Sequence, residues 1–209
     1  MEKIILIGAG GHSRVVAEAV ILNGEYEIAG LVDPAVKPGT LIYGMRVLGD
    51  DAVLARIRND NIDCASIAFG STGDNSKRIK LYLYLKEHGF RLPELVHPAA
   101  IISISDVTIS EGVQVMAGAV IQAGAIIGAN CIINTGSVVE HDCNIGKHVH
   151  ICPGAVICGG SNIGDGAFIG AGATVIQGIS VGRNAVIGAG SVVLVDVPDG
   201  ARVWGVVNR

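Results

Sequence analysis

From Ile109 to Asn144 the sequence reads ISEGVQ VMAGAV IQAGAI IGANCI INTGSV VEHDCN, and the same six-residue frame continues without a break to Val193. The first residue of every hexad is Ile or Val, fifteen times in succession. The residue two positions earlier is mostly small, and both point to one face because side chains alternate along a strand. A period of six over this length predicts a parallel β-helix, in which each hexad is a short strand and a corner.

The fourth residue of each hexad forms the predicted corner. It is mostly Gly and sometimes Asn, the residue types that best tolerate a positive φ. Three corners break this rule, namely Asp142, His148 and Asp196. Asp196 lies at the end of the array, but Asp142 and His148 are successive corners. A repeat that departs from its own rule twice in a row indicates a functional segment.

Charged residues are scarce, at 16% of the chain, and residues 112–139 contain none. A hydropathy window would flag that stretch as a membrane helix. Its period of six and its polar residues, such as Gln122 and Asn130, argue against a helix. We interpret the uncharged solenoid surface as one that packs against another subunit. The net charge of −4 gives no indication of nucleic acid binding. Because the period and the polar residues exclude a membrane helix, no membrane insertion is expected.

The five cysteines include no C-x-x-C pair, and Cys131 and Cys143 occupy small inward positions where they are predicted to pack in the core. Such cysteines favour a reducing compartment. The first residues lead directly into an apolar strand, so no signal peptide is expected. We therefore expect a cytoplasmic protein.

Residues 1–96 have a different pattern, in which apolar strands alternate with helices. The predicted strands cover residues 4–7, 27–32, 64–69 and 91–96, and the predicted helices cover residues 13–22, 51–59 and 77–88. This alternation predicts a small, Rossmann-like α/β domain with a parallel sheet. The β-helix domain then covers residues 97–209, and its last residues form a C-terminal cap.

A glycine-rich turn, Gly8-Ala9-Gly10-Gly11-His12-Ser13, lies between the first predicted strand and the first helix. Backbone N–H groups at a helix N-terminus bind phosphate, and Asp33 at the end of the second strand could bond a ribose hydroxyl. The full dinucleotide fingerprint is absent, because Ser13 stands at the third glycine position. The turn predicts a site for one nucleotide. The alternative is that Gly10 and Gly11 only permit close packing of strand and helix.

The two halves together resemble the NeuD/PglD family of bacterial acetyl-CoA-dependent sugar acetyltransferases. The motifs GAGGHS at 8–13, LVD at 31–33 and NTGSVVEHD at 134–142 carry the resemblance. The family includes sialic acid O-acetyltransferases and N-acetyltransferases of nucleotide-linked 4-amino-4,6-dideoxy sugars. The resemblance implies a homotrimer of left-handed β-helices, with acetyl-CoA as co-substrate between adjacent solenoids and with no metal.

The resemblance also implies site residues. The nucleotide sugar would bind at Gly8, Gly10, Gly11, His12 and Asp33. The catalytic histidine would be His141, while Asn134 and His150 would face the acetyl-CoA cleft or orient His141. The tail departs from the family, because residues 205–209 lack the proline of a common glycine-x-Pro-Ala-Arg ending.

His141 suits acetyl transfer chemically, because an imidazole with an ordinary pKa of about 6.5 can take the proton of an attacking nucleophile. Asp142 or Glu140 could hold the tautomer of His141. The family has an acid directly after the histidine, which favours Asp142, although strand alternation places both acids on one side. Gly159 lies one coil of three hexads after His141, so its N–H could bind the thioester oxyanion. The family places a glycine there as well.

The favoured hypothesis is N-acetylation of the 4-amino group of a nucleotide-linked sugar by direct attack on acetyl-CoA. O-acetylation uses the same groups and is the alternative. A two-step transfer through a cysteine thioester is a further variant, with Cys143, Cys152 and Cys158 as its candidates.

Two hypotheses come from other functional classes. One is a zinc enzyme similar to the β-helical carbonic anhydrases, with His141, His148 and His150 as ligands. It leaves the N-terminal half unexplained. The other is a non-catalytic nucleotide-sugar-binding trimer, which requires the His141–Asp142 pair to be accidental.

Overall fold

The computed structural model describes residues 1–208, and Arg209, the last residue of the predicted cap, lies outside the described residues. An α/β unit comes first along the chain, and a solenoid of stacked two-residue strands follows it. Among residues 1–208, no helix combines the length and the apolar character needed to cross a membrane.

The α/β unit is a five-stranded sheet with helices packed on it. Its strands are β1 (Glu2–Ile7), β2 (Tyr26–Val32), β3 (Leu41–Ile42), β4 (Met45–Gly49) and β5 (Cys64–Ile67). Its helices are α1 (Gly11–Asn23), α2 (Leu54–Asn59), which a 3₁₀ turn at Asp51–Val53 precedes, and α3 (Ser76–Glu87). The strand order is β3-β4-β2-β1-β5, and only β3 runs antiparallel to its neighbour. The predicted alternation of strands and helices is therefore present.

Both edges of the sheet differ from the prediction. The hairpin of β3 and β4 was missed, because its strands are short and partly exposed. The predicted fourth strand over residues 91–96 is wrong. Arg91 makes a single bridge to Cys64, and Pro93 cannot donate to a ladder, so the strand is not continued along β5. Leu95–Val96 pairs instead with the solenoid at Gln114–Val115.

The solenoid is a parallel β-helix, and each of the fifteen aliphatic residues that begin the hexads is the second residue of a two-residue strand. Three sheets form its sides. The covered face contains β6 (Leu95–Val96), β9 (Gln114–Val115), β12 (Ile132–Ile133), β15 (His150–Ile151), β18 (Phe168–Ile169), β21 (Val186–Ile187) and β23 (Arg202–Val203). The aliphatic face contains β7 (Ile101–Ile102), β10 (Val120–Ile121), β13 (Val138–Val139), β16 (Val156–Ile157), β19 (Thr174–Val175), β22 (Val192–Val193) and β24 (Val206–Val207). The polar face contains β8 (Thr108–Ile109), β11 (Ile126–Ile127), β14 (Asn144–Ile145), β17 (Asn162–Ile163) and β20 (Ser180–Val181).

The interior of the solenoid is the stack of inward aliphatic residues, with the small residues between them, and it is almost completely buried. Rungs pair in parallel with a shift of one coil, as in the pairing of Val120 with Val138. All ten glycine corners of the hexads adopt a positive φ, and so do Asp142 and His148, at 57° and 61°. A side chain in this conformation costs about 1 kcal/mol relative to glycine, so both corners carry strain.

The outward residue, which is the first of each strand, distinguishes the three faces. On the aliphatic face it is Ile or Val on every rung except that of Thr174. On the polar face, Asn144, Asn162 and Ser180 are exposed on successive rungs. On the covered face, Gln114, Ile132 and His150 are buried.

The α/β unit packs on the covered face and along the edge between that face and the polar face. Tyr82 of α3 donates to Glu111 at 2.6 Å, and Lys86 bonds the other oxygen of the same carboxylate at 2.7 Å. His148 packs edge-on against Tyr82, with ring centroids 5.2 Å apart. Its Nδ1 lies 2.9 Å from the amide of Asn130 on the preceding coil. The exceptional corner at His148 therefore anchors the α/β unit.

Candidate active site

The glycine-rich turn follows β1 at the point where the sheet order reverses, between β2 on one side and β5 on the other. Ligands of parallel α/β sheets bind at such a switch point. Gly8 has a φ of 113°, and a Cβ there would lie 3.2 Å from the Ala68 carbonyl oxygen. A Cβ at Gly10 or Gly11 would meet nothing within 4 Å. Close packing therefore explains Gly8 but not Gly10 or Gly11, whose bare backbone faces open space.

A cleft of about 380 Å³ lies over this turn. It is lined by Gly10, Gly11, His12, Ala68, Phe69, Gly70, Ser71 and Thr72. Asp33 lies behind the turn and accepts the N–H groups of Ala9 and Ala35, each at 2.8 Å. Ser13 donates to the Gly10 carbonyl at 2.6 Å. Of the predicted nucleotide residues, Gly10, Gly11 and His12 therefore line the cleft, and Asp33 supports the turn that begins at Gly8.

His12 is fixed at the cleft by the solenoid. The Gln114 amide donates to the Ile67 carbonyl at 2.8 Å and to the Ser66 hydroxyl at 2.9 Å. Its oxygen is therefore the acceptor, and it takes the Nε2–H of His12 at 3.2 Å. Nδ1 of His12 then carries a lone pair. Burial lowers the pKa of His12, and the charge of Arg78 adds to the effect.

His150 lies beside the same cleft, on the covered face. A Cβ at Gly70 would lie 3.2 Å from its ring. Its Nδ1 is 3.2 Å from the Ser71 hydroxyl, and its Nε2 is 3.3 Å from the Asn134 amide nitrogen. Burial, together with the charge of Arg78 and a contribution from His12, lowers the pKa of His150 to about 3. His150 is thus a neutral, fully engaged side chain.

Arg78 of α3 supports the loop between β5 and α3. It is 3% exposed and donates from Nη1 to the carbonyls of Ile67 and Phe69, at 2.7 and 3.0 Å. It holds the end of β5 that leads into the cleft. Its charge disfavours protonation of His12 and His150.

His141 and Asp142 form a separate pair, at the corner between the aliphatic and polar faces. Nδ1 of His141 is 2.9 Å from the carboxylate of Asp142, whereas Glu140 approaches only the backbone N–H of His141, at 3.4 Å. The orienting acid in this geometry is Asp142. Asp142 makes this contact from a corner with a positive φ.

Gly159 lies directly against His141, as the spacing of one coil predicts. A Cβ there would lie 2.5 Å from Nε2 of the imidazole, so only glycine leaves room for the ring. The ladder between coils uses the Gly160 N–H and the Gly159 carbonyl. Within residues 1–208, the N–H of Gly159 takes part in neither of these two bonds.

The predicted site residues therefore fall into two groups within one chain. Gly8, Gly10, Gly11, His12, Asp33, Asn134 and His150 lie around the glycine cleft. His141, Asp142 and Gly159 lie at a corner on the other side of the aliphatic face. Asn134 occupies the corner between the covered and aliphatic faces, so the two groups flank the aliphatic face.

The three histidines of the zinc hypothesis are not gathered in one chain. Both nitrogens of His150 are engaged by Ser71 and Asn134, and His148 packs against α3. Within residues 1–208, the one trio of possible metal ligands is Glu2, Asp63 and Cys64, and Arg91 pairs with its two carboxylates.

The cysteines are free thiols, and Cys131 and Cys143 lie in the solenoid core as predicted. Burial raises the pKa of Cys131 and of Cys152 to about 12, and it also raises the pKa of Cys143. Protonated thiols are poor nucleophiles, so a thioester on Cys143 or Cys152 is disfavoured. Cys158 is half-buried next to Gly159.

Sequence reasoning missed the residues that position His12 and His150. Gln114 and Ser71 contact the two rings, and Asn75 and Arg78 support the loop beside them. Gln114 is an outward residue on its strand, and its polarity beside the apolar outward residues Leu95 and Ile132 was the one available signal. The other three lie in a loop and a helix that carry no motif.

Family models match both parts of the chain. The PglD N-terminal domain matches residues 3–85. The bacterial transferase hexapeptide (six repeats) matches residues 106–141, and the hexapeptide repeat of succinyl-transferase matches residues 162–194.

Solved structures resemble the whole chain. A histidine-to-asparagine variant of perosamine N-acetyltransferase from Caulobacter crescentus, in complex with CoA and GDP-perosamine, is 40% identical with a TM-score of 0.91, over 98% of this chain and 94% of that chain. The acetyltransferase domain of PglB from Neisseria gonorrhoeae FA1090 is 36% identical with a TM-score of 0.89, over 98% and 97%. WeeI from Acinetobacter baumannii AYE is 27% identical with a TM-score of 0.83, over 98% and 97%.

A Rossmann-like α/β unit on a hexapeptide-repeat β-helix, with an oriented histidine at a corner, defines a class of acyltransferases. The sequence and structural matches narrow this class. The chain belongs to the NeuD/PglD family and is an acetyl-CoA-dependent sugar acetyltransferase.

Proposed function

We propose that this protein transfers the acetyl group of acetyl-CoA to the 4-amino group of a nucleotide-linked 4-amino-4,6-dideoxy sugar. The observation that carries the proposal is the oriented His141, with Asp142 on Nδ1 and Gly159 packed against the Nε2 side of the ring. The Caulobacter crescentus relative at 40% identity, whose structure holds CoA and GDP-perosamine, supports an amino sugar on a nucleoside diphosphate as the acceptor.

In the proposed reaction, the sugar amine attacks the thioester carbonyl carbon and forms the new C–N bond. Nε2 of His141 takes the proton that the amine loses, and Asp142 stabilises the imidazolium through Nδ1. The carbonyl oxygen gains negative charge and is stabilised by the Gly159 N–H. When the C–S bond breaks, the CoA thiolate takes the proton from His141, so the histidine returns to its neutral form.

The nucleotide would bind at the glycine cleft. The bare backbone at Gly10 and Gly11 begins α1, where N–H groups and the helix dipole favour phosphate oxygens. The carboxylate of Asp33 lies behind the turn, and His12 lines the cleft. These positions support the predicted nucleotide-sugar residues.

We further propose a homotrimer that packs through the aliphatic face. This face presents outward Ile or Val on all but one of its rungs, including Val120, Val138 and Val156. Ile101 and Val206 at its two ends are 63% and 62% exposed. A continuous aliphatic surface of this kind favours burial against another subunit.

A cyclic arrangement would also complete the active site. The aliphatic face has Asn134 at one edge and His141 at the other. In a closed ring with these faces inward, one edge of each copy meets the opposite edge of the next. The catalytic pair of one subunit would then face the glycine cleft of its neighbour, with acetyl-CoA in the seam between them.

The five free thiols and the need for acetyl-CoA fit a cytoplasmic location. We therefore place the proposed reaction in the cytoplasm.

The test is thiol release from acetyl-CoA with GDP-, UDP- and dTDP-linked 4-amino-4,6-dideoxy sugars and with free sialic acid. We expect turnover of one amino sugar and an N-acetyl product by mass spectrometry. The variant His141→Ala should lose that turnover by roughly a thousandfold, as for the loss of a general base.

Other outcomes separate the alternatives. Turnover of sialic acid alone would establish O-acetylation instead. Full turnover in His141→Ala would contradict the proposed base. Loss of turnover in Cys158→Ser, with accumulation of acetyl-enzyme in the wild type, would establish the two-step variant.

A further inference from the structure

A chain of hydrogen bonds runs from the loop between β5 and α3 to the corner at Asn134. Asn75 is 6% exposed, and its amide nitrogen lies 3.0 to 3.2 Å from the carbonyl oxygens of His148, Gly166 and Ala167. Carbonyl oxygens only accept, so this nitrogen is the amide NH₂ group. The amide oxygen of Asn75 therefore faces Ser71, and the Ser71 hydroxyl donates to it.

The direction of the next bond follows. Since the hydroxyl proton of Ser71 is used on Asn75, its oxygen is the acceptor toward His150. The ring must then carry its proton on Nδ1, which lies 3.2 Å away. Nε2 of His150 is left with a lone pair.

The far end of the chain requires the same polarity independently. The backbone N–H of Thr135 donates to Oδ1 of Asn134 at 2.8 Å, which identifies the other amide atom of Asn134 as nitrogen. This nitrogen lies 3.3 Å from Nε2 of His150 and can only donate to it. At each end of this hydrogen-bond chain, backbone groups that can only accept or only donate fix the orientation of an Asn amide. Both ends therefore require a neutral His150 with the proton on Nδ1.

We propose that Ser71 and Asn75 are positioning residues, which fix the tautomer of His150 and so aim Asn134. One N–H of the Asn134 amide points to His150, and its second N–H is offered to an oxygen atom of the acceptor sugar. The contact between Asn134 and the acceptor sugar rests on the function proposed above, but the tautomer of His150 does not.

The surroundings of His150 support a fixed neutral ring. Burial with the adjacent Arg78 charge lowers its pKa, and Phe168 packs edge-on against it with ring centroids 5.3 Å apart. Gly70 lies on its other side, where a Cβ would be 3.2 Å from the ring. A ring held in this way cannot exchange its two nitrogens by a flip.

The first measurement is the tautomer in the substrate-free full-length protein, by long-range ¹H–¹⁵N correlation on protein labelled with ¹⁵N-histidine. The variant His150→Gln assigns the signal. We expect a protonated-type shift at Nδ1 and an unprotonated-type shift at Nε2, unchanged between pH 6 and pH 8. A proton on Nε2 would overturn the proposal, whatever sugar the enzyme acetylates.

The second measurement compares Ser71→Ala, Ser71→Thr and the control Ser76→Ala. Ser76 is exposed and lies outside the chain of hydrogen bonds. In Ser71→Ala we expect mixed tautomers of His150 and a KM for the acceptor sugar about tenfold higher, as for the loss of one positioning hydrogen bond. The KM for acetyl-CoA and kcat should change less than twofold, and Ser71→Thr should restore both readouts.

Two results would contradict the positioning role. One is a single Nδ1–H tautomer and an unchanged acceptor KM in Ser71→Ala. The other is an equal rise in both KM values, which indicates general loosening of the fold. If the wild type turned over no amino sugar at all, the proposed function would fail, and the NMR result would still decide the tautomer.

Discussion

His141 and His150 lie nine residues apart along the same winding of the solenoid, yet their surroundings are opposite. The side chain of His141 is 55% exposed. Its Nδ1 contacts the carboxylate of Asp142, and its Nε2 lies beside Gly159, which has no side chain. His150 is 6% exposed, with both nitrogens engaged by neutral groups. The first arrangement suits a group that gains and loses a proton. The second suits a group that never changes its proton, so residue type alone does not assign a role.

The largest effect that follows from this comparison is on turnover. His141→Gln should lower kcat by about 10²–10⁴-fold, because it removes the base, with little change in the acceptor KM. His150→Gln should mainly raise the acceptor KM, because it disturbs Asn134. Steady-state kinetics of both variants check this, with His88→Gln at an exposed helix end as the control. Equal losses of kcat in His141→Gln and His150→Gln would contradict the different roles assigned to the two histidines.

The next effect concerns assembly. Val156→Glu places a charge on the aliphatic face and should convert the proposed trimer to monomers, with activity lost in proportion. Light scattering after gel filtration measures the mass. The matched control is Asn162→Glu, the next outward residue, on the polar face of the solenoid. A trimer that survives Val156→Glu and dissociates in Asn162→Glu would place the interface on the other face.

A smaller effect appears in stability against pH. The pKa of His150 is about 3 in the folded protein and about 6.5 in the unfolded chain, so between these values the unfolded chain binds the extra proton. The free energy of unfolding should therefore fall as the pH falls below 6.5, by up to about 1.4 kcal/mol per pH unit from this group.

Urea unfolding at pH 7 and pH 5 measures this slope. His150→Gln should be less sensitive to acid than the wild type, by roughly 2 kcal/mol between the two pH values. His141→Gln serves as the comparison, because the side chain of His141 is 55% exposed whereas His150 is buried. An unchanged slope in His150→Gln would show that other groups dominate the acid response.

The smallest effect concerns the strained corners. Asp142→Gly should raise stability by about 1 kcal/mol, or a few degrees in Tm, because glycine adopts a φ of 57° without strain. Turnover should fall, since His141 loses its orienting carboxylate. His148→Gly should show no such gain, because it also loses the contact with Tyr82. A fall in Tm for Asp142→Gly would show that the carboxylate stabilises the corner more than its backbone strains it.

The sequence predicts the solenoid almost rung by rung, because each rung imposes the same local demand for an inward aliphatic residue and a corner. It also predicts the stacking of Gly159 on His141, which depends only on the period. The hydrogen-bond chain through Asn75, Ser71 and His150 was not predictable, since its contacts between the two units join residues 73 to 92 positions apart and only packing of the units brings them together. The prediction of an edge strand at 91–96 was wrong for a similar reason, because Leu95–Val96 pairs with the solenoid and not with the sheet of the α/β unit.

The regular rise of the β-helix also sets the axial distance between the glycine turn and His141. The glycine turn is tied to the rung of Gln114, and His141 lies one and a half coils further on, which is about 7 Å along the axis at the spacing of paired strands. An extra coil of 18 residues between them would add about 4.8 Å, and no smaller step would keep the rungs in register. Under the proposed function, the axial distance between the phosphate site at the glycine turn and His141 therefore changes in whole coils, and this distance selects the length of the acceptor.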